Sequence, residues 1–550
     1  MKATDILALI DKQSAFHQEQ INRISANKRF FEGEQYPLSE EERDLSDKPL
    51  LVVNHLFPRI QAVAGSIVRQ RPQIKVLPRG KFDAMVSQIA TVVIRYLLEV
   101  NKFPLHLYTA LLDSLVCGIG WLRARVNPDL TSEPIKLESL SPEEVIYDYK
   151  DKSIDLSSGR YVAVYKLIPE EEARAIYGDF RPAVLLSWID INQYTWLDSE
   201  SVVSVIEGEY RKWTRTQVVW DGVQAEVYTP QLHDRLLSEG KVRLTEMAVP
   251  VVHKFLVVGE TVIYDEPTPF TSYSFVPVIF HRTQDGYPMG LVDLLKDLQK
   301  EINKRRSKAL HYLDVLRVIA EEGAVKEPSD LLKELERTVS FIEYRPQYKL
   351  EIQRELELSA THYKFLEGAI QELTLISGIS PDLMGLPTNA RTGTALQMRV
   401  LQAMTGLVHL LLKVEEAFRS ISYRAFNLAR LLYTDTRFVE LTDLAINELG
   451  LFNPEQMSEL EKLRSKLVEG RFDLIVKVGA TDTTQRQEHL AHLVELLKVL
   501  PPETILVMFD ILIDAFDLPE KSEIKKRLAL LISTMLKSRQ KGGNEDGRKQ

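Results

Sequence analysis

Asp148, Asp151 and Asp155 crowd the segment YDYKDKSID, and clustered carboxylates of this kind can hold two divalent metals for phosphodiester cleavage. Lys150 and Lys152 are interleaved with them, and aspartate also favours turns because its side chain bonds its own backbone. The spacing therefore favours a structural turn, with a metal-dependent nuclease at Asp148, Asp151 and Asp155 as the alternative. His489 and His492 in EHLAHL could share a metal with Glu488 or Glu495, but no third ligand group lies near in sequence. A packed or solvated helical pair is the expectation there. Cys117, the single cysteine, excludes an internal disulfide and a cysteine-built zinc site, and its run LLDSLVCGIGWL makes it a small buried hydrophobe. No G-x-x-x-x-G-K-S/T, H-E-x-x-H or G-x-S-x-G occurs. The expectation is no enzyme, no cofactor and no resident metal.

One spacing has electrostatic content. Lys296, Lys300, Lys304 and Lys308 recur every fourth residue, which on a helix sets four ammonium groups along about 18 Å of one face. Such a ladder could meet phosphates. It could equally be a solvated face, partly neutralised by Asp297 and Glu301 at neighbouring helical positions. The net charge of −9 argues against a basic body that wraps nucleic acid, while 45% hydrophobic residues allow sizeable cores. The opening MKATDILALIDKQ has no signal-peptide pattern, and the apolar run at 400–412 is too short to span a bilayer. These features predict a soluble protein that needs no oxidising compartment.

The elements that would position these groups follow from periodicity and breakers. Residues 4–31 read as an amphipathic helix ending at Gly33, Pro58 and Pro72 bracket a second, and 83–116 continue as one long helical pattern. From Gly118 to about 285 short alternating runs predict mainly strands, with a helix at PEEEARAIYG. Leu291, Leu294, Leu295, Leu298, Ile302, Ala309, Tyr312, Leu313 and Leu316 then form a stripe that predicts a helix of roughly 40 Å, the lysines on its opposite face. A mixed charged segment leads to a second helix from about Leu356 to Ser377, with Gly378 at its C′ position. SGISPDLMGLPTNARTGTALQMRV follows. There Ser380-Pro381 starts a short turn of helix ending at Gly385, Pro387 to Gly393 is loop, and Thr394 to Gln397 fits a capping box. That box launches a helix to about Tyr433, with Gly406 a kink site. Residues 471–479 read as a strand, and 483–499, 503–516 and 519–538 as helices. The tail is free of apolar residues, which predicts disorder. The class is α+β.

The order of these parts resembles the portal protein of tailed bacteriophages, most similar to the portals of short-tailed phages. Four passages carry the likeness: FFEGEQY with PLLVVNHLFPRIQAVAGSIVRQRPQIKVLP, GYPMGLVDLLKDLQKEINKRRSKAL, SGISPDLMGLPTNARTGTALQMR, and VKVGATDTTQRQEHLAHLVELLKVLPP. The resemblance covers most of residues 20–520. It implies a mixed α/β wing with amino-terminal helices (1–290), stem helix one (291–317), a small α/β clip (318–355) and stem helix two (356–378). A tunnel loop (379–393), a long helix with wing completion (394–482), a short helical crown without a long barrel (483–538) and a disordered tail (539–550) would follow. It further implies a ring of about twelve subunits, about 760 kDa from a 63.0 kDa chain. The ring would sit at one capsid vertex of the virion, assembled in the host cytoplasm. Double-stranded DNA would pass its channel during packaging and ejection without sequence recognition. Partners would be the large terminase motor, a head-completion or tail adaptor, and the major capsid and scaffold proteins, with no membrane. Leu386, Pro387, Thr388, Asn389 and Arg391 would face the DNA, and the lysine ladder the lumen or a neighbouring subunit. Another oligomeric virion scaffold without a channel is the alternative reading.

Overall fold

Strand Tyr161–Pro169 is apolar at nearly every position because both of its faces are covered. Successive side chains on a strand point to opposite faces. Tyr161, Ala163, Tyr165 and Leu167 join one cluster with Ala3, Ile6, Ile10, Ile206, Tyr210 and Phe255. Val162 and Val164 join another with Ile119, Trp121, Tyr147, Val252 and Phe275. The computed structural model describes residues 2–36, 49–69, 73–78, 84–129, 131–186, 201–220, 225–238, 240, 242–314, 316–335, 341–354, 356–379, 381, 383–384, 406–433, 437, 440–441 and 472–477. The chain divides into two compact units: Met1–Asn22, Ala64–Pro288 and Leu407–Gln550 make the first, Arg23–Val63 and Met289–Gly406 the second.

The first unit is layered. Its larger sheet runs Val145–Tyr147, Tyr161–Pro169, Val202–Trp220, Arg243–Val258, Thr261–Pro267, all neighbours antiparallel, with Ala225–Val227 added beside Val202–Trp220. Helix Ala3–Lys12 lies on one face through Ala3, Ile6 and Ile10, a stripe one turn wide. The three-stranded sheet of Phe275–Ile279, Ile119–Val126 and Ile135–Leu140 covers the other. Helices Phe103–Cys117 and Val408–Leu432 pack on the far side of that smaller sheet, the Phe103 and Phe418 rings 5.4 Å apart. The strand read at 471–479 is Phe472–Lys477. It pairs antiparallel with Gln73–Pro78, so residues some four hundred positions apart close one ladder.

Several boundaries differ from the sequence reading. The single helix expected over 4–31 is two, Ala3–Lys12 and Ser14–Glu32, broken at Gln13. The single pattern over 83–116 is also two, Ala84–Val100 and Phe103–Cys117, because Lys102 adopts a left-handed conformation and Pro104 begins the next helix. Helix Pro230–Ser238 was not anticipated inside the β region. Gly406 sits in a turn before Val408 rather than kinking a continuous helix.

The break at Gln13 has a use. Its Nε2 donates to Asp148 Oδ1 at 3.1 Å, its Oε1 accepts from Tyr161 Oη at 2.7 Å, and Tyr161 Oη is also hydrogen-bonded to His17 Nε2 at 3.1 Å. Phe16 is stacked between Tyr149 and Tyr287, centroids 4.2 and 4.4 Å away. Burial lowers the His17 pKa to about 4, with the Asp148 charge pulling the other way. The native state thus holds His17 neutral while the unfolded chain protonates it near 6.5. Its contribution is complete above pH 6.5 and is lost as pH falls from there to about 4, a difference on the order of 3 kcal/mol. Denaturant titrations from pH 7.5 to 4.5 should show His17→Gln with a flatter stability profile than wild type. Parallel profiles would contradict this.

Candidate functional site

The second unit is built on two helices that run out and back. Leu291–Asp314 leads into strand Leu316–Ala320, which pairs antiparallel with Leu350–Arg354, and that strand leads into helix Leu356–Ser377. The helices pack together: Tyr312 stacks on His362 at 5.5 Å and 12°, and the Arg305 guanidinium lies 4.9 Å over the Phe365 ring. Leu366, Ala369 and Leu373 give the second helix its buried stripe. That helix ends where predicted, with Gly378 at φ 65, the left-handed turn that glycine takes without a steric penalty. Between the strands, Pro328–Leu335 is helical. The first helix is shorter than the expected 291–317, because Leu316, counted in the apolar stripe, belongs to the strand.

The buried face of the first helix keeps much of the stripe the sequence suggested, with Leu291, Leu295, Ile302 and Ala309 buried, but it is shifted around the helix. Leu294 and Leu313 are exposed, at 44% and 52%. Three polar residues, Gln299, Asn303 and Ser307, are buried beside the apolar ones. They receive an extended segment running alongside: Leu51 N donates to Ser307 Oγ at 2.9 Å, Val53 N to Asn303 Oδ1 at 3.0 Å, and His55 N to Gln299 Oε1 at 3.1 Å. Gln299 Nε2 returns a bond to the Val53 carbonyl at 2.7 Å, and Asn303 Nδ2 donates to Gln35 Oε1 at 2.5 Å. The register works because two extended residues advance about 6.6 Å and four helical residues about 6 Å. Every second backbone N–H of the segment therefore meets every fourth side chain of the helix. The signal was present as polar residues at a spacing of four. Patterning assigns such residues to the solvent side.

The four lysines separate into two kinds. Lys296 is half-buried, its Nζ 5.2 Å over the Phe30 ring and donating to Asn27 Oδ1 at 3.3 Å. Burial, with Lys300 nearby, lowers its pKa. Lys300, Lys304 and Lys308 are exposed, Lys300 reaching Asp297 at 3.8 Å. Only these three present a cationic face. Asp293 anchors the start of the helix: its Oδ2 accepts from Gly290 N at 2.9 Å and its Oδ1 from Asn27 Nδ2 at 2.9 Å.

The aspartate cluster forms turns. Asp148 takes a two-pronged contact from Arg160, at 2.5 Å from Nε and 3.0 Å from Nη2. Burial would raise its pKa, but the bonds from Arg160 and Gln13 outweigh that and hold the carboxyl below its usual range. Asp151 Oδ1 accepts from Ser153 N at 2.8 Å and Asp155 Oδ1 from Ser157 N at 3.1 Å, the aspartate-turn pattern. A metal here would have to displace the Arg160 guanidinium. Among the described residues no group of three or more His, Cys, Asp or Glu could hold a metal, and no helix is long and apolar enough to cross a membrane. Cys117 is buried. Leu386, Pro387, Thr388, Asn389 and Arg391, the Thr394–Gln397 capping box, His489 and His492 lie outside the described residues.

Layered antiparallel sheets joined to an out-and-back helix pair, with carboxylates committed to turns, define an α+β protein whose described features are structural. The family model described as the phage P22-like portal protein matches residues 7–550, and the chain belongs to that family. The portal protein of Helicobacter pylori bacteriophage KHP30 is 20% identical over 492 residues, which cover 88% of this chain and 74% of the relative. The family is structural rather than catalytic.

Proposed function

We propose that the chain is the subunit of a ring of about twelve copies at one capsid vertex. Through its channel double-stranded DNA is packaged by a terminase motor and later ejected. The observation that carries this reading is the helix pair Leu291–Asp314 and Leu356–Ser377, tipped by the paired strands Leu316–Ala320 and Leu350–Arg354. That is the arrangement the family resemblance requires of a stem and clip. The clip would dock the motor during packaging and the tail adaptor afterwards, with capsid and scaffold proteins around the ring. Residues 483–538 would form the crown.

Residues 379–393 would be the tunnel loop, with Leu386, Pro387, Thr388, Asn389 and Arg391 toward the DNA. A loop with one cation suits a sliding substrate, because each fixed phosphate contact retards movement. Lys300, Lys304 and Lys308 would face the lumen or an acidic face of the neighbouring subunit, while Lys296 supports its own helix. Deleting residues 386–391 should leave ring yield unchanged and reduce packaged DNA at least tenfold, read as nuclease-protected DNA per assembled head. Wild-type packaging by that variant would refute the loop assignment.

A further inference from the structure

Four cations packed on the sheets of the first unit are met by carboxylates. Arg123 reaches Glu207 at 2.8 Å and Lys254 the same residue at 3.2 Å, Arg160 holds Asp148 at 2.5 Å, and Arg424 lies 3.7 Å from Glu209. A charge drawn out of water needs such compensation. Another group of basic side chains in the same unit lacks it. His281 and Arg282 form the short strand that follows Phe280, and His409 and Lys413 stand one turn apart at the start of helix Val408–Leu432.

Packing brings these four together. Lys413 Nζ donates to the Phe280 carbonyl at 2.9 Å, and the His409 ring sits edge-on to the Phe280 ring with centroids 5.3 Å apart. Arg282 Nη1 donates to the Asp151 carbonyl at 2.8 Å, while its Nε and Nη2 are buried without a hydrogen-bond partner among the described residues. Burial and the Arg282 charge lower the Lys413 pKa, and burial, Lys413 and His281 lower that of His409. His281 and His409 are exposed and Lys413 is half-buried.

Among the described residues none of the four makes an ion pair. Asp151 meets Arg282 through its backbone carbonyl and spends Oδ1 on the Ser153 N–H at 2.8 Å. Asp285, three residues past Arg282, is exposed in the turn closed by Gly286 N to the Thr283 carbonyl at 3.1 Å. The helix itself has no acidic residue in its first turn, where a carboxylate ordinarily balances the free N–H groups. Cations gathered at that end are unfavourable unless an anion joins them.

We propose that His281, His409 and Lys413, with the Arg282 charge beside them, bind a phosphate group. Phosphate suits three separate donors better than a carboxylate does, because its oxygens are set tetrahedrally while both carboxylate oxygens lie in one plane. Its source is the backbone of the DNA duplex or the free ion. For the duplex, the inference rests on the channel reading. A fixed phosphate contact retards a moving duplex, so the site then belongs to retention of packaged DNA rather than to its passage.

The test uses the purified full chain. Melting is followed in sodium phosphate and in sodium chloride of equal ionic strength, and binding of a fluorescent DNA duplex across a salt series. Phosphate stabilises proteins generally by exclusion from their surface, so the readout is the difference between wild type and variants. Lys413→Gln and the double variant His281→Gln/His409→Gln should lose most of the extra stabilisation by phosphate. The exposed control Lys166→Gln should keep it. For a DNA source, Lys413→Gln should also weaken duplex binding about tenfold and lower the salt slope by about one. Loss of the phosphate response with duplex binding intact assigns the site to the free ion. Both site variants responding to phosphate as wild type does would overturn the site, and fewer rings from those variants would then point to a carboxylate of a second copy instead. A chain that binds phosphate here but forms no rings, even with coat and scaffold proteins present, would overturn the ring reading and leave the site standing.

Discussion

Gly120→Ala should leave the first unit unfolded or insoluble. Gly120 lies in strand Ile119–Val126 where helix Phe103–Cys117 crosses, and a Cβ there would sit 1.7 Å from the Ala110 carbonyl oxygen. That is backbone against backbone, so no side-chain rotation relieves it. Helix and strand would have to part by more than an ångström. The separation would strip cover from Leu107, Ala110, Leu111 and Leu122, all fully or almost fully buried. Overpacking ordinarily costs about 1–3 kcal/mol, and an overlap this deep lies beyond that range. Gly65→Ala is the matched control. Gly65 is inside helix Leu56–Arg69 with nothing within 4 Å of an added Cβ, so alanine there should be neutral or stabilising by up to about 1 kcal/mol. Soluble yield and urea midpoints of the two variants decide the matter. A Gly120→Ala chain as stable as wild type would contradict the packing described.

The second large effect is at Glu209→Ala. Arg424, on helix Val408–Leu432, is buried with its guanidinium 3.6 Å over the Phe270 ring, donating to the Ser272 carbonyl at 3.0 Å. Its countercharge is Glu209, buried on strand Val202–Trp220, with Nη2 to Oε1 at 3.7 Å. Burial pushes the Arg424 pKa down to about 10, and Glu209 opposes that shift. Removing the carboxylate leaves a buried cation without compensation and an unmet Ser274 N–H, which now bonds Glu209 Oε2 at 2.6 Å. Breaking one side of such a pair costs about 3–5 kcal/mol, whereas replacing both members with apolar residues of similar volume can be near neutral. Glu209→Ala should therefore lower the urea midpoint sharply, and Glu209→Leu with Arg424→Met should recover most of the loss. Equal midpoints for the single variant and wild type would show that the helix is held to the sheets by packing alone.

How much of this the sequence showed depends on the kind of signal. Helix Leu356–Ser377 was legible from end to end, because its periodicity and Gly378 are local. The β-rich stretch after Gly118 was legible as well, since alternation and breakers are local too. Long-range partners were not. Phe472–Lys477 reads as a strand, but nothing local says that it pairs with Gln73–Pro78. The largest misreading was the extent of the buried face of helix Leu291–Asp314, which holds Leu291, Leu295, Ile302 and Ala309 as expected but three polar residues as well. Binary patterning sends leucine inward and glutamine outward, yet Gln299, Asn303 and Ser307 are buried because the neighbouring segment presents backbone N–H groups that need acceptors. The order of parts outweighed single residues in pointing to the family, and the carboxylates best suited to catalysis were turn formers.

The central claim is the ring. Light scattering on the purified chain, alone and after coexpression with coat and scaffold proteins, with negative-stain images of the same peak, tests it most directly. Closed rings of about twelve copies, about 760 kDa, with a central hole wide enough for duplex DNA are the expected result. An oligomer without a hole, or a compact dimer that cleaves DNA when given a divalent metal, would contradict it.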